Sequence, residues 1–314
     1  MMHLGRRMPL LLACSALATF TPLSAMSSWT QLPTGAQIAS ELTRSMTQSK
    51  IPSQTIPALN EAWSGLDSAM LNGQTNCGAV AGAGADIGSE TPCTFGDRTA
   101  RRTIVLVGDS EADMWITTFI VWGQEYHWKV VRLVKLGCDP WESSTNWHEC
   151  LAFRRFEVKT INAIRPAAVF ADGLPMVGET GLPTLSSAQI ATNIDAFASK
   201  LKPSGSRVLV PQNIPWFYGF PEPNQCLAGN STSVRVCNHD RRSKVVNGRT
   251  LAGIEMAGKT HAITVVPIDQ FFCTKTYCPV LVGGRVVYAD EHHFTRQWGA
   301  YIARGFASVL NPHL

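Results

Sequence analysis

Residues 103–115, TIVLVGDSEADMW, place a short apolar run directly before the triplet Gly-Asp-Ser at 108–110. The run 103–107 is rich in β-branched residues and uncharged, which predicts a buried strand, whereas the residues from Glu111 onward have helical spacing. The strand therefore ends in a sharp turn, and Ser110 lies where a helix begins.

The composition is that of a globular protein. Of its 314 residues, 45% are hydrophobic and 16% are charged, and the formal net charge is +4. This is enough apolar material for one large core or two modest ones. Lysine and arginine are scattered and form no basic stripe interleaved with aromatic residues, so nucleic acid is not an expected partner. Nothing in the sequence indicates a metal or an organic cofactor.

The N-terminus has the order of a secretory signal. Arg6 and Arg7 precede an apolar stretch at 8–20, which is followed by small residues. The apolar stretch is too short to span a membrane, so we expect a signal peptide of residues 1–25 and export to the periplasm, the cell envelope or the medium. The sequence LLAC ending at Cys14 also resembles a lipoprotein cleavage site, and lipid anchoring there is the less favoured alternative.

The cysteines predict disulfides. Nine are present, and removal of Cys14 with the signal leaves eight, an even number in an exported chain. A metal site is the rival interpretation, but no Cys-x-x-Cys pair occurs. The eight fall into four couples of sequence neighbours, which we expect to be bonded: Cys77 with Cys93, Cys138 with Cys150, Cys226 with Cys237, and Cys273 with Cys278.

From about residue 100, strand-like apolar runs alternate with helical stretches. The runs are 103–107, 129–134, 167–171, 207–211 and 262–267. The helical stretches are 111–124, 147–164, 187–201, 241–259 and, after a hairpin that turns at 283–284, 295–310. The alternation predicts an α/β fold with a three-layer, doubly wound parallel sheet. We assign this domain to 101–314 and an extension to 26–100, with helices at 38–48 and 57–71, tethered by the Cys77–Cys93 disulfide.

Two segments are expected at the carboxyl ends of the strands, where open α/β sheets bind ligands. One contains Ser110, and the other contains Asp290 and His293. A serine nucleophile needs a base that a carboxylate orients. The spacing of Asp290 and His293 lets the carboxylate reach Nδ1 while Nε2 points outward. Taken alone, this spacing more often reflects a helix cap beside a surface histidine.

The segments VLVGDSEADMW and YADEHHFT together resemble the SGNH (GDSL-like) hydrolase superfamily. The closer resemblance is to the extracytoplasmic SGNH domain of bacterial acyltransferase-3 fusion proteins, and CTFGD, KLGCDPW, WHEC and FFCTKTYCPVLVGGRVVYAD extend it over residues 93–310. It implies a serine esterase or O-acyltransferase that forms an acyl-enzyme. Ser110 would be the nucleophile, His293 the base and Asp290 the group that orients it.

The resemblance also implies an oxyanion hole. The Ser110 backbone N–H, at the start of a helix, would donate to the oxyanion. In the family a glycine N–H is the second oxyanion donor, and Gly137 is the matching residue of this chain. The superfamily has a donor asparagine where this chain has Asp172, and an ionised carboxylate only accepts hydrogen bonds. The third donor is therefore expected to be either absent or a backbone N–H, for which Gly173 is the candidate. Glu111 replaces a histidine that is common in the group, and its charge would disfavour anionic substrates.

The expected substrate is an acylated glycan or small ester that carries O-acetyl groups. Trp216 and Phe217, with Tyr218, lie in a proline-rich loop and are expected either to line an acceptor pocket or to belong to the core. We expect His292 to be an exposed neighbour of the site. A monomer is expected, and a membrane acyl donor protein is a candidate partner. The alternative function is a non-catalytic glycan-binding module, since fold alone does not establish activity.

Overall fold

The structure, a computed structural model, describes residues 29–62, 92–141, 148–174, 184–217, 221–241 and 248–314. The predicted signal peptide, Cys77, Tyr218 and most of the predicted helix at 57–71 lie outside these ranges.

A six-stranded sheet forms the centre of the described part. The described strands include the six of this sheet and four short strands outside it. In chain order they are β1 (Cys93–Gly96), β2 (Thr103–Gly108), β3 (Lys129–Val134), β4 (Ala168–Asp172), β5 (Arg207–Pro211), β6 (His239–Asp240), β7 (Thr264–Val266), β8 (Tyr277–Cys278), β9 (Leu281–Val282) and β10 (Arg285–Val286). The sheet order is β1-β3-β2-β4-β5-β7, with β1 antiparallel to β3 and the other pairs parallel. The five parallel strands have the order of a flavodoxin-type doubly wound sheet, which confirms the predicted α/β class.

Helices cover both faces of the sheet. They are α1 (Gly35–Ser45), α2 (Ser110–Met114), α3 (Ile116–Glu125), α4 (His148–Ile164), α5 (Ser187–Lys200), α6 (Pro223–Gly229), α7 (Gly248–Lys259) and α8 (Arg296–Leu310). Successive residues of a strand point to opposite faces. Accordingly, Ile104 and Leu106 pack in a core with α1, α3 and α8, while Val105 and Val107 pack in a second core with α4, α5 and α7.

The N-terminal segment shares the first of these cores. Ile38 of α1 is fully buried there, and the Tyr301 hydroxyl of α8 donates a hydrogen bond to Glu41 at 2.7 Å. Helix α1 begins earlier than the predicted 38–48 because Thr34 and Gln37 form a capping box.

Other elements also depart from the predictions. The predicted helix at 111–124 is two helices, α2 and α3, which meet at Trp115, whose indole Nε1–H donates to Asp172 at 2.9 Å. Strand β1 was not predicted, since four residues at a sheet edge carry too short a pattern. The hairpin prediction agrees with β9 and β10, whose turn residues Gly283 and Gly284 both have positive φ.

Three disulfides join the expected neighbours: Cys138 with Cys150, Cys226 with Cys237, and Cys273 with Cys278. Cys93 is also disulfide-bonded. Its predicted partner, Cys77, lies outside the described residues, so that pairing stays a prediction.

A search for membrane spans among the described residues finds no helix that combines the required length with sufficiently apolar composition.

A close backbone approach holds β2 against β4. Gly108 pairs with Asp172 in the parallel register and has a φ of +141°. A Cβ at this position would lie 1.7 Å from the Asp172 carbonyl oxygen. Only glycine fits here, because both the conformation and the space exclude a side chain.

We predict that Gly108→Ala destabilises the protein by more than about 4 kcal/mol or prevents folding. Gly205→Ala is the matched control. Its φ is also positive, at +72°, but nothing lies within 4 Å of the added Cβ, so it should cost about 1 kcal/mol. Denaturant unfolding measures both, and equal costs for the two variants would contradict the steric argument.

Candidate active site

The turn after β2 places Ser110 at the carboxyl edge of the sheet. Asp109 caps α2, and its carboxylate accepts the Glu111 N–H at 2.9 Å and the Leu174 N–H at 3.0 Å. Burial raises the pKa of Asp109 well above its usual range, and the charges of Glu111 and Asp139 add to this effect. Ser110 is the first residue of α2 and is partly exposed.

The turn before α8 orients His293 through Asp290. One oxygen of this carboxylate accepts the backbone N–H groups of His292 at 2.9 Å and of His293 at 2.8 Å. The other oxygen lies 2.7 Å from His293 Nδ1. Burial opposes ionisation of Asp290, but these hydrogen bonds and the histidine charges outweigh it and lower its pKa to about 2. The ionised carboxylate accepts a hydrogen bond from the protonated Nδ1, which leaves Nε2 as the basic nitrogen.

The two turns meet at Glu111. Its buried carboxylate oxygen Oε1 lies 2.7 Å from His292 Nδ1 and 3.7 Å from His293 Nε2. Burial alone would lower the pKa of His292, but the hydrogen bond and charge of Glu111, with the charges of Asp290 and Glu291, raise it to about 9. His292 is therefore an imidazolium at neutral pH and neutralises Glu111.

His293 Nε2 points into the protein and forms no hydrogen bond with any residue that the structure describes. His293 Nε2 therefore has no hydrogen bond to Ser110 in this conformation. It does face Glu111, the residue that follows Ser110 in the chain. Hydrogen bonds between catalytic groups are often long in unliganded enzymes and shorten when substrate binds.

Two of the predicted oxyanion donors, the N–H groups of Gly137 and Gly173, differ in their surroundings. Gly137 lies exposed in the turn after β3 with a φ of +75°, and this turn is joined to β2 by the Lys135 N–H, which donates to the Gly108 carbonyl at 3.0 Å. The Gly173 N–H instead donates to Asp172 at 2.9 Å, so it is engaged in this conformation. Burial, with the charges of Glu111 and Asp109, raises the pKa of Asp172 well above its usual range.

The loop residues Trp216 and Phe217 are buried beside the site. Phe217 packs in the core, with ring centroids 4.6 Å from both Tyr288 and His239. Trp216 lies edge-on to His292 at 5.6 Å. Both positions support the segment that carries the histidines.

Sequence reasoning missed the pair of Glu111 and His292, because the two residues are 181 positions apart. His292 is not the exposed neighbour that we expected. Its side chain is 25% exposed. The only signals in the sequence were a second histidine next to His293 and an acid next to Ser110.

A further buried acid, Glu157, lies near the site on α4. Glu157 is fully buried, and neither carboxylate oxygen has a hydrogen-bond partner in the described part of the chain. Burial raises its pKa well above the usual range; the nearby Arg154 opposes this shift, while Asp139 and Asp109 reinforce it.

This arrangement predicts a pH dependence of stability. The pKa of Glu157 is raised on folding, so its contribution to stability is fully present below the pKa in the unfolded chain and is lost as the pH rises through the folded value. Glu157→Gln removes the ionisable group. The free energy of unfolding of this variant should therefore rise relative to that of the wild type as the pH increases from about 5 to about 8, by up to about 1.4 kcal/mol per pH unit.

Thermal unfolding at both pH values measures this effect. The control is Glu255→Gln, because Glu255 is exposed on α7. A difference between wild type and Glu157→Gln that does not change with pH would contradict the prediction.

Comparison with known proteins identifies the family. The family described as SGNH domain (fused to AT3 domains) matches residues 77–308. None of the curated proteins matches the chain.

One of three similar solved structures has a TM-score above 0.5. The periplasmic domain of a lipopolysaccharide acetyltransferase from Salmonella ser. Paratyphi A is 10% identical, with 69% of this chain and 84% of that chain covered and a TM-score of 0.54. A putative acylhydrolase from Bacteroides fragilis is 10% identical, with 69% and 90% covered and a TM-score of 0.39. A variant of the Geobacillus acetyl-xylooligosaccharide esterase Axe2 is 14% identical, with 68% and 95% covered and a TM-score of 0.36.

At these identities the likeness concerns the fold alone, and the two scores below 0.5 carry no argument. The family match covers most of the chain. The chain therefore belongs to the family of SGNH domains that occur fused to AT3 domains.

Proposed function

We propose that the protein is an extracytoplasmic acyl esterase or O-acyltransferase of SGNH type, and that it acts on O-acetyl esters of cell-envelope or extracellular glycans. The observation that carries the proposal is the pair of Asp290 and His293, whose basic nitrogen faces α2, the helix that begins at Ser110. The family match and the SGNH-like fold support the class of reaction.

In the proposed mechanism, Ser110 Oγ attacks the ester carbonyl while His293 Nε2 takes the hydroxyl proton. Asp290 holds the ring in position and stabilises the imidazolium that forms. The tetrahedral intermediate collapses, and His293 returns the proton to the departing alcohol. Water or an acceptor hydroxyl then attacks acyl-Ser110 while His293 Nε2 takes its proton. The bond between the acyl carbon and Ser110 Oγ breaks, and His293 returns the proton to Oγ, which completes hydrolysis or transfer.

The oxyanion would accept hydrogen bonds from backbone donors. Two candidates are the N–H of Ser110 and the N–H of Gly137, on the turns that follow the neighbouring strands β2 and β3. The Gly173 N–H could contribute only after its bond to Asp172 opens. One good donor is worth about 2.7–4 kcal/mol of barrier lowering, so two suffice for substantial catalysis.

The source of the acyl group follows from the family. Relatives are fused to AT3 domains, and we infer that a membrane acyltransferase supplies the acyl group when the reaction is transfer. A structure with this fold belongs to a lipopolysaccharide acetyltransferase, so a cell-envelope glycan is the acceptor class to test first.

The proposal predicts that a fluorophosphonate probe labels Ser110. Ser110→Ala and His293→Ala should each lower the labelling rate by about a thousandfold or more, because the first removes the nucleophile and the second its base. Ser199→Ala is the control, since Ser199 is also on a helix but exposed, near the end of α5. Peptide mass spectrometry locates the adduct.

A folded wild-type protein that is not labelled would contradict the enzymatic proposal. The absence of a hydrogen bond between His293 Nε2 and Ser110 in this structure would then favour a glycan-binding module, and binding to O-acetylated glycans would be measured next.

A further inference from the structure

Three potential metal ligands converge at the meeting point of the two turns. Glu111, His292 and His293 each contribute one ligand atom, and the three atoms lie within 4.8 Å of one another. Two of the residues are buried and the third is partly buried, so this is not a chance group of surface side chains.

The spacing suits a small tetrahedral ion. Ligand bonds of about 2.0–2.1 Å place neighbouring donors in a tetrahedral zinc site about 3.3 Å apart. Glu111 Oε1 lies 2.7 Å from His292 Nδ1 and 3.7 Å from His293 Nε2. These two distances differ from that value by about 0.6 and 0.4 Å, and the two histidine nitrogens lie within 4.8 Å of each other. Movements of the two histidine rings would bring the three donors to tetrahedral spacing.

His293 is prepared for metal binding by its own neighbours. Asp290 accepts a hydrogen bond from His293 Nδ1 at 2.7 Å. The Nε2 lone pair is buried and has no hydrogen bond in the described part of the chain. A zinc-bound histidine usually donates a hydrogen bond from its other ring nitrogen to a carboxylate or a carbonyl. This hydrogen bond fixes the tautomer and makes the ligating nitrogen more basic.

The second histidine is also restrained. The His292 ring packs against His293, with centroids 3.9 Å apart, and against Trp216 at 5.6 Å. Two imidazoles and one carboxylate are a donor set that suits zinc better than calcium or magnesium, which prefer oxygen ligands. A set of three protein ligands leaves the fourth position for water.

We propose that Glu111 Oε1, His292 Nδ1 and His293 Nε2 form a zinc-binding site that inhibits the serine chemistry when it is occupied. Zinc would replace the proton on His292 Nδ1, which is released to solvent, and would hold the His293 Nε2 lone pair that must accept the Ser110 proton. The inhibitory consequence rests on the proposed function, whereas the binding itself does not.

The test is calorimetric titration of Zn²⁺ into tag-free, metal-free protein. We expect one equivalent to bind, and Glu111→Gln, His292→Ala and His293→Ala each to weaken binding about tenfold or more. Asp290→Asn should weaken it about 10–100-fold through His293. The control is His313→Ala, near the C-terminus, which should bind as the wild type does. Co²⁺ in place of Zn²⁺ should give the visible absorption of a tetrahedral site.

Absence of stoichiometric binding, or binding that survives both Glu111→Gln and His292→Ala, would overturn the site. Fluorophosphonate labelling of the wild type should be lost with bound zinc and return with a chelator. Labelling that persists at saturating zinc would overturn the inhibitory role. Binding without any labelling of the metal-free protein would support the site while contradicting the proposed esterase, so the two proposals fail separately.

Discussion

The contact between Gly108 and the Asp172 carbonyl is the constraint on which the site depends. It sets two neighbouring strands so close that no side chain fits between them, and it ends β2 in the turn that makes Ser110 the first residue of α2. The same approach brings Asp172 next to the turn, where its carboxyl accepts hydrogen bonds from Trp115 and Gly173. The position of the candidate nucleophile and the loss of one candidate oxyanion donor therefore have a common origin.

The site is rich in buried acids, and their charges must be compensated. A buried carboxylate is unfavourable unless it is paired or neutral. Asp109 and Asp172 have strongly raised pKa values, whereas Glu111 is paired with the imidazolium of His292. This pairing places a carboxylate beside His293 Nε2, the atom that proton transfer from Ser110 requires. Serine chemistry and metal binding thus compete for one nitrogen.

The sequence predicts most of the fold, because alternating apolar runs and helical spacing are local signals. The predicted strands at 129–134 and 207–211 coincide with β3 and β5, and short cysteine spacing correctly predicted three disulfides. The edge strand β1 was not predicted because its hydrophobic pattern is too short. The contact of Glu111 with His292 was not predicted because it joins residues at opposite ends of the domain sequence. Tertiary contacts of this kind leave no periodic pattern in the sequence.

The central claim is that Ser110 carries the acyl group. Mass spectrometry of the protein during turnover of an activated acetyl ester, with no glycan acceptor present, tests it most directly. The account predicts one acetyl group on the peptide that contains Ser110, absent from Ser110→Ala and released when an acceptor is added. Turnover with no acetyl group on Ser110, or with the group on another residue in wild type and variant alike, would contradict it.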